Sequence, residues 1–139
     1  MQQTAIFGPF LAMMLLTGVV WVYLFARRIP FIRAHPETLG DPTLLAQMAP
    51  PGVSTPSDNL KNLFELPVLF YALALYLFAT RQVDATYVRA AWVFFAFRVL
   101  HSAIHCTFNH ITLRFSVYLV AALALWCMVI RAALAHFGA

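Results

Sequence analysis

From Ala5 to Ala26 the chain runs 22 residues without a charged side chain. About 20 apolar residues in helical form cross the hydrocarbon of a bilayer, and few soluble folds tolerate such a run. The rest of the chain agrees: it is 63% hydrophobic and only 10% charged, against about 25% charged in ordinary soluble domains. These numbers predict an all-α integral membrane protein. The net charge of +4 comes from basic residues dispersed among apolar runs. That pattern reflects loop bias across a membrane and not a nucleic-acid surface.

Periodicity and turn residues divide residues 1–139 into a single unit of four spans, roughly 5–28, 57–80, 85–109 and 112–135. The first is too long for a signal-peptide core and leads directly into Arg27 and Arg28, the pattern of a retained anchor. Residues 28–57 hold six of the eight prolines and read as a long connecting loop, with a short helical turn over Pro42–Met48. Ser57 or Asp58 is the expected N-cap of the second span, and Pro67 is expected to kink it near Leu63. Arg27, Arg28, Arg33, Lys61 and Arg114 favour a cytoplasmic first loop with both termini periplasmic, while Arg81, Arg89 and Arg131 favour the reverse. Cys106 and Cys127 lie in apolar segments without metal or redox spacing and read as small buried hydrophobes.

The third span contains the costly residues. Arg98, His101 and His105 fall within about 60° on one helical face. A central arginine costs about 2.5–3.5 kcal/mol to insert, so such groups face the bundle interior and pair. Two readings stand side by side. Glu65, the comparably embedded carboxylate, can form an ion pair with Arg98 that locks two helices. Alternatively Asn62, Glu65, Arg98, His101, His105, Arg114 and Tyr118 converge on one polar pocket at the cytoplasmic end. Such a pocket suits a small zwitterion with an excess of carboxylates, because guanidinium meets carboxylate in a bidentate fork. A metal held by His101, His105 and Glu65 is the competing local chemistry. The neighbouring arginines would repel a cation, and no metal is expected.

Two motifs, Asn62-Leu63-Phe64-Glu65-Leu66-Pro67 and Arg98-Val99-Leu100-His101 followed by Arg114 and Tyr118, resemble those of the MAPEG family, the membrane-associated proteins in eicosanoid and glutathione metabolism. Asn59 to Tyr71 looks most like the bacterial branch, which implies a bacterial inner membrane. The resemblance implies a four-helix bundle assembled as a homotrimer in contact with lipids. It implies glutathione, held by Lys61, Asn62, Glu65, Arg98, His101, His105 and Tyr118, with Arg114 as the catalytic residue that stabilises the thiolate. Transferase or peroxidase-like attack on a lipophilic substrate follows. The alternative is a non-enzymatic scaffold or accessory subunit that contacts other membrane proteins. The chain differs from several members at His105, where they have tyrosine, at Lys61, and at Phe115, where a serine often follows the arginine.

Overall fold

A computed structural model describes residues 2–138. Six α-helices occur: α1 (Phe7–Ala34), α2 (Pro42–Met48), α3 (Pro51–Asn62), α4 (Leu66–Ala79), α5 (Ala85–Cys106) and α6 (Ile111–Phe137), with short 3-10 turns at Gln3–Ile6 and Pro36–Thr38. They make four rods, because α3 and α4 follow one another as a broken helix. Side-chain pairings fix the directions. Phe10 meets Tyr71 and Arg28 meets Ser57, so α1 runs antiparallel to α3–α4. Phe70 stacks on Phe94 and Arg98 meets Asn62, so α5 runs back along α3–α4. Arg131 of α6 reaches Asp84 ahead of α5, completing an up-down-up-down bundle. Ile6, Met13, Phe70, Phe94 and Leu125, all fully buried, form the centre of the core.

Among the described residues, three segments are long and apolar enough to cross a membrane by length and composition: Gln3–Ala34, Pro51–Ala79 and Ile111–Phe137. The 22-residue α5 is long enough but carries Arg89, Arg98, His101 and His105. The last three are buried within the bundle. Outside, Leu15, Val22, Leu123, Trp126 and Ile130 are exposed. An apolar exterior with the charged side chains of a span turned inward marks an integral membrane protein.

Prolines are accommodated where the sequence pattern predicted a loop. α1 does not stop at residue 28 but continues through Pro30 to Ala34. Pro30 and Ala26, whose carbonyl loses its usual partner, are both exposed near the helix end, so the missing bond is not buried. α2 forms over the predicted residues, with Pro42 in its first turn and the Asp41 carboxylate accepting from Leu44 N at 3.0 Å. α3 begins at Pro51 and not at the predicted Ser57 or Asp58 cap. Pro56 cannot donate to the Gly52 carbonyl four residues back. Arg27 Nε donates to that carbonyl instead, at 3.1 Å. Gly52 permits the approach, since a Cβ there would lie 2.8 Å from the Arg27 guanidinium.

The kink expected near Leu63 is a full break. The chain leaves helical angles at Glu65 (φ −98°, ψ −103°) and restarts at Leu66, with Pro67 in the new first turn. The third span ends at Cys106, earlier than expected, and Asn109 takes a left-handed φ of 47°. Its N–H returns to the Ile104 carbonyl at 2.8 Å, closing the helix end. His110 then caps α6, its Nδ1 accepting from Leu113 N at 3.2 Å. Cys106 is half-buried and Cys127 is exposed, and neither is in a disulfide. Cys127 therefore departs from the buried role expected of it. An exposed apolar side chain costs nothing against lipid.

The opposite end of the bundle is clamped by Asp84. Its carboxylate caps α5 through Thr86 N and Tyr87 N and accepts two hydrogen bonds from Arg131, which also lies 4.3 Å from the Tyr87 ring centroid. Hydrogen bonding from Arg131 holds the Asp84 carboxyl down at about 2. A depressed carboxyl contributes stability above its unfolded value near 4 and loses it as pH falls toward 2. Asp84→Asn keeps the cap and removes the ion pair. At this exposure the loss is about 1 kcal/mol or less, and acid titration of helicity in detergent should lose its step between roughly pH 4 and pH 2.

Candidate functional site

Asn62 is the last residue of α3, so the break places its side chain at an end and not along a helix. It stands between the two groups expected to pair. Arg98 Nη2 donates to Asn62 Oδ1 at 2.6 Å and more weakly to the Asn62 carbonyl at 3.4 Å. Asn62 Nδ2 in turn donates to Glu65 Oε2 at 3.5 Å. The expected Glu65–Arg98 ion pair is therefore replaced by a relay, arginine to amide to carboxylate. The physical reason is the non-helical Glu65 backbone, which carries its side chain out to an exposed position. A direct pair would have neutralised Arg98. The relay satisfies one guanidinium nitrogen and leaves Nε and Nη1 buried without a partner among the described residues.

Arg98 is fully buried, and its guanidinium lies 5.9 Å from the Tyr118 ring centroid. His101 sits one turn further along α5. Its Nδ1 is 3.4 Å from the Arg114 carbonyl. A carbonyl only accepts, so neutral His101 carries its proton on Nδ1 and leaves Nε2 as an acceptor. That Nε2 is buried without a partner among the described residues, as is His105 Nδ1. The two imidazoles meet edge to face at 5.6 Å, and the His101 ring lies 5.7 Å from Tyr118.

Arg114 opens α6 on the far side. Its Nη1 donates to Asn109 Oδ1, so the left-handed turn residue holds the guanidinium. Between these elements lies a cavity of about 270 Å³, lined by Asn62, His101, His105, Arg114 and Tyr118 with Ile111 and Phe115 as apolar wall. Enclosed small-molecule sites usually start near 300 Å³. This one is slightly smaller, and most of its neighbours on α6 are exposed.

The structure thus brings five of the eight predicted residues onto one cavity and places Arg98 directly behind it through Asn62. Glu65 is held at the rim by the Asn62 amide. Lys61 is elsewhere: it pairs with Asp58 at 3.9 Å and lines a different cavity. Two further polar contacts lie deeper. Ser102 Oγ donates to Asn59 Oδ1 at 3.3 Å, and Asn59 Nδ2 approaches Cys106 Sγ at 3.5 Å. Asn59 and Asn109 escape a sequence reading because neither stands out by charge. A buried polar face shared by Asn59 and Asn62 was the available signal for the first. Among the described residues, no three His, Cys, Asp or Glu side chains converge as metal ligands.

The arrangement can hold an anion. Arg114 presents a guanidinium and Tyr118 a hydroxyl as donors, while His101 Nε2 can accept from a donor group of the same ligand, beside an apolar wall of Ile111 and Phe115. Residues 6–134 match the model of the MAPEG family. Comparison with curated proteins gives no match, and comparison with solved structures gives none.

Proposed function

The chain belongs to the MAPEG family, and from that premise we propose that it binds glutathione in the Arg114 cavity and activates its thiol toward a lipophilic substrate, as a transferase or peroxidase-like enzyme of the membrane. In this reading residues 1–139 form one four-span unit with α5 as the fourth span. Three such units assemble as a homotrimer in a bacterial inner membrane, with both termini periplasmic. The observation that carries the reading is a concentration of buried polar atoms with no partner among the described residues. Arg98 Nε and Nη1, His101 Nε2 and His105 Nδ1 lie within and behind one cavity. Buried polar groups are normally satisfied, most stringently at membrane depth. A carboxylate-rich peptide brings negative charge in front of Arg98, and its amides and ammonium group supply donors to the imidazoles.

Asn62, His101, His105 and Tyr118 would hold the peptide, with Arg98 acting from behind and Glu65 available to an ammonium group at the rim. Glutathione contributes a thiol whose anion is a strong nucleophile. Arg114 favours that anion, because a nearby guanidinium stabilises the charged form. Asn109 keeps the guanidinium in place. A second protomer against the exposed side of α6 would complete the cavity and exclude water.

Equilibrium dialysis of glutathione against the detergent-solubilised protein tests the reading. Saturable binding is expected; none up to millimolar concentration would sink it. His105 sets the level of activity. Its imidazole is shorter than a phenol, so His105→Tyr should raise a weak thiol-dependent conjugation several-fold, and an unchanged rate would remove His105 from the account.

A further inference from the structure

A larger cavity lies elsewhere. It measures about 700 Å³ and is lined by the last turns of α1, the Thr38–Gly40 turn, α2 and α3. Its polar lining includes Arg28, Ser54, Ser57, Asp58 and Lys61, and its apolar lining includes Ile32, Leu39 and Leu45. Arg28 Nη2 donates to Ser57 Oγ at 3.0 Å, which fixes the guanidinium against the cavity. Arg28 Nε is buried with no partner among the described residues. Lys61 is 3.9 Å from Asp58, and both are largely exposed, so that pair is open to exchange with another anion.

Depth identifies the occupant. The uncharged run of α1 ends at Ala26. Trp21 and Tyr23, both exposed on α1, occupy the position of an interfacial aromatic belt. Arg28 and Ile32 therefore sit about half a turn and nearly two turns beyond the end of that run, at the level of lipid headgroups. Free solutes need no apolar wall, whereas a phospholipid brings phosphate, glycerol and the start of its acyl chains into one such space. We propose that this cavity binds the phosphodiester of an anionic phospholipid. Arg28 and Lys61 meet the phosphate, Ser54 donates beside them, and Asp58 accepts from a headgroup hydroxyl. Ile32, Leu39 and Leu45 pack the glycerol and the first acyl carbons. Basic recesses at helix ends on the cytoplasmic side recognise lipid headgroups in this way. The site shares no lining residue with the Arg114 cavity and stands whether or not glutathione binds there.

Native mass spectrometry of the full chain, exchanged between micelles containing phosphatidylglycerol and phosphatidylcholine, reads the proposal. Retention of phosphatidylglycerol over phosphatidylcholine is expected. Arg28→Gln should weaken retention about tenfold or more, the loss of a charge-assisted contact. Since Arg28 also holds Ser57, Ser54→Asp serves as the second variant. It adds a negative charge to the cavity without touching that contact, and it should weaken retention similarly at unchanged melting temperature. Equal retention of the two lipids, or undiminished retention in both variants, would overturn the proposal. Displacement of the lipid by millimolar inorganic phosphate would reassign the cavity to free phosphate and overturn the lipid assignment.

Discussion

Arg98→Met leaves the protein folded and lowers glutathione affinity about 10- to 100-fold. Two effects on stability nearly cancel. Removing the charge recovers the roughly 2.5–3.5 kcal/mol that a central arginine costs to insert. It also removes the charge-assisted bond to Asn62, worth about 1.5–3 kcal/mol. Methionine fills most of the space of the alkyl stem. The Ser102–Asn59 contact, one turn further along, still joins α5 to α3. Binding has no such compensation, because the Asn62 side chain loses the group that orients it and the cavity loses the charge behind it. Detergent melting curves and equilibrium dialysis on the same preparation separate the effects. A variant with a lowered melting temperature but native ligand affinity would assign Arg98 to helix locking alone.

Arg114→Ala should leave glutathione bound within a few-fold of the native affinity and lower turnover by about 10²–10³, the usual effect of deleting one preorganised charge-stabilising donor. The reasoning rests on position. Arg114 is half-buried, lines the cavity and is held by Asn109 rather than by an acid that would neutralise it. Ultraviolet difference spectra of glutathione with the native protein should show thiolate absorbance near neutral pH, and the variant should show it only at higher pH. Asn109→Ala should reproduce part of the defect, because it frees the guanidinium without removing it. Loss of binding in parallel with turnover would make Arg114 a holding residue instead.

The sequence exposes the membrane-spanning character of this chain and its site helix because both depend on composition and spacing. Arg98, His101 and His105 share a face by count alone, and the structure buries all three. What depends on irregular backbone is not legible. Glu65 looks embedded when the second span is taken as continuous, yet it lies in the break between α3 and α4, so Arg98 meets Asn62 instead. Lys61 shares the polar face of Asn62 on a wheel but lines another cavity. Asn109, which holds Arg114, belongs to a left-handed turn about which periodicity is silent. The prolines mislead for a related reason. Pro56 removes a donor, but the carbonyl it orphans is served by Arg27 from 25 residues earlier in the chain. No local rule sees that partner.

The account turns on whether the Arg114 cavity takes a carboxylate-bearing tripeptide. A cryo-electron microscopy map of the detergent- or nanodisc-embedded protein with saturating glutathione tests this most directly. The predicted result is a trimer with tripeptide density at each such cavity. Its carboxylates would be nearest Arg98 and Asn62, and its sulfur nearest Arg114. Protein density at comparable quality with the cavity closed by its own side chains, or with glutathione bound elsewhere, would contradict it.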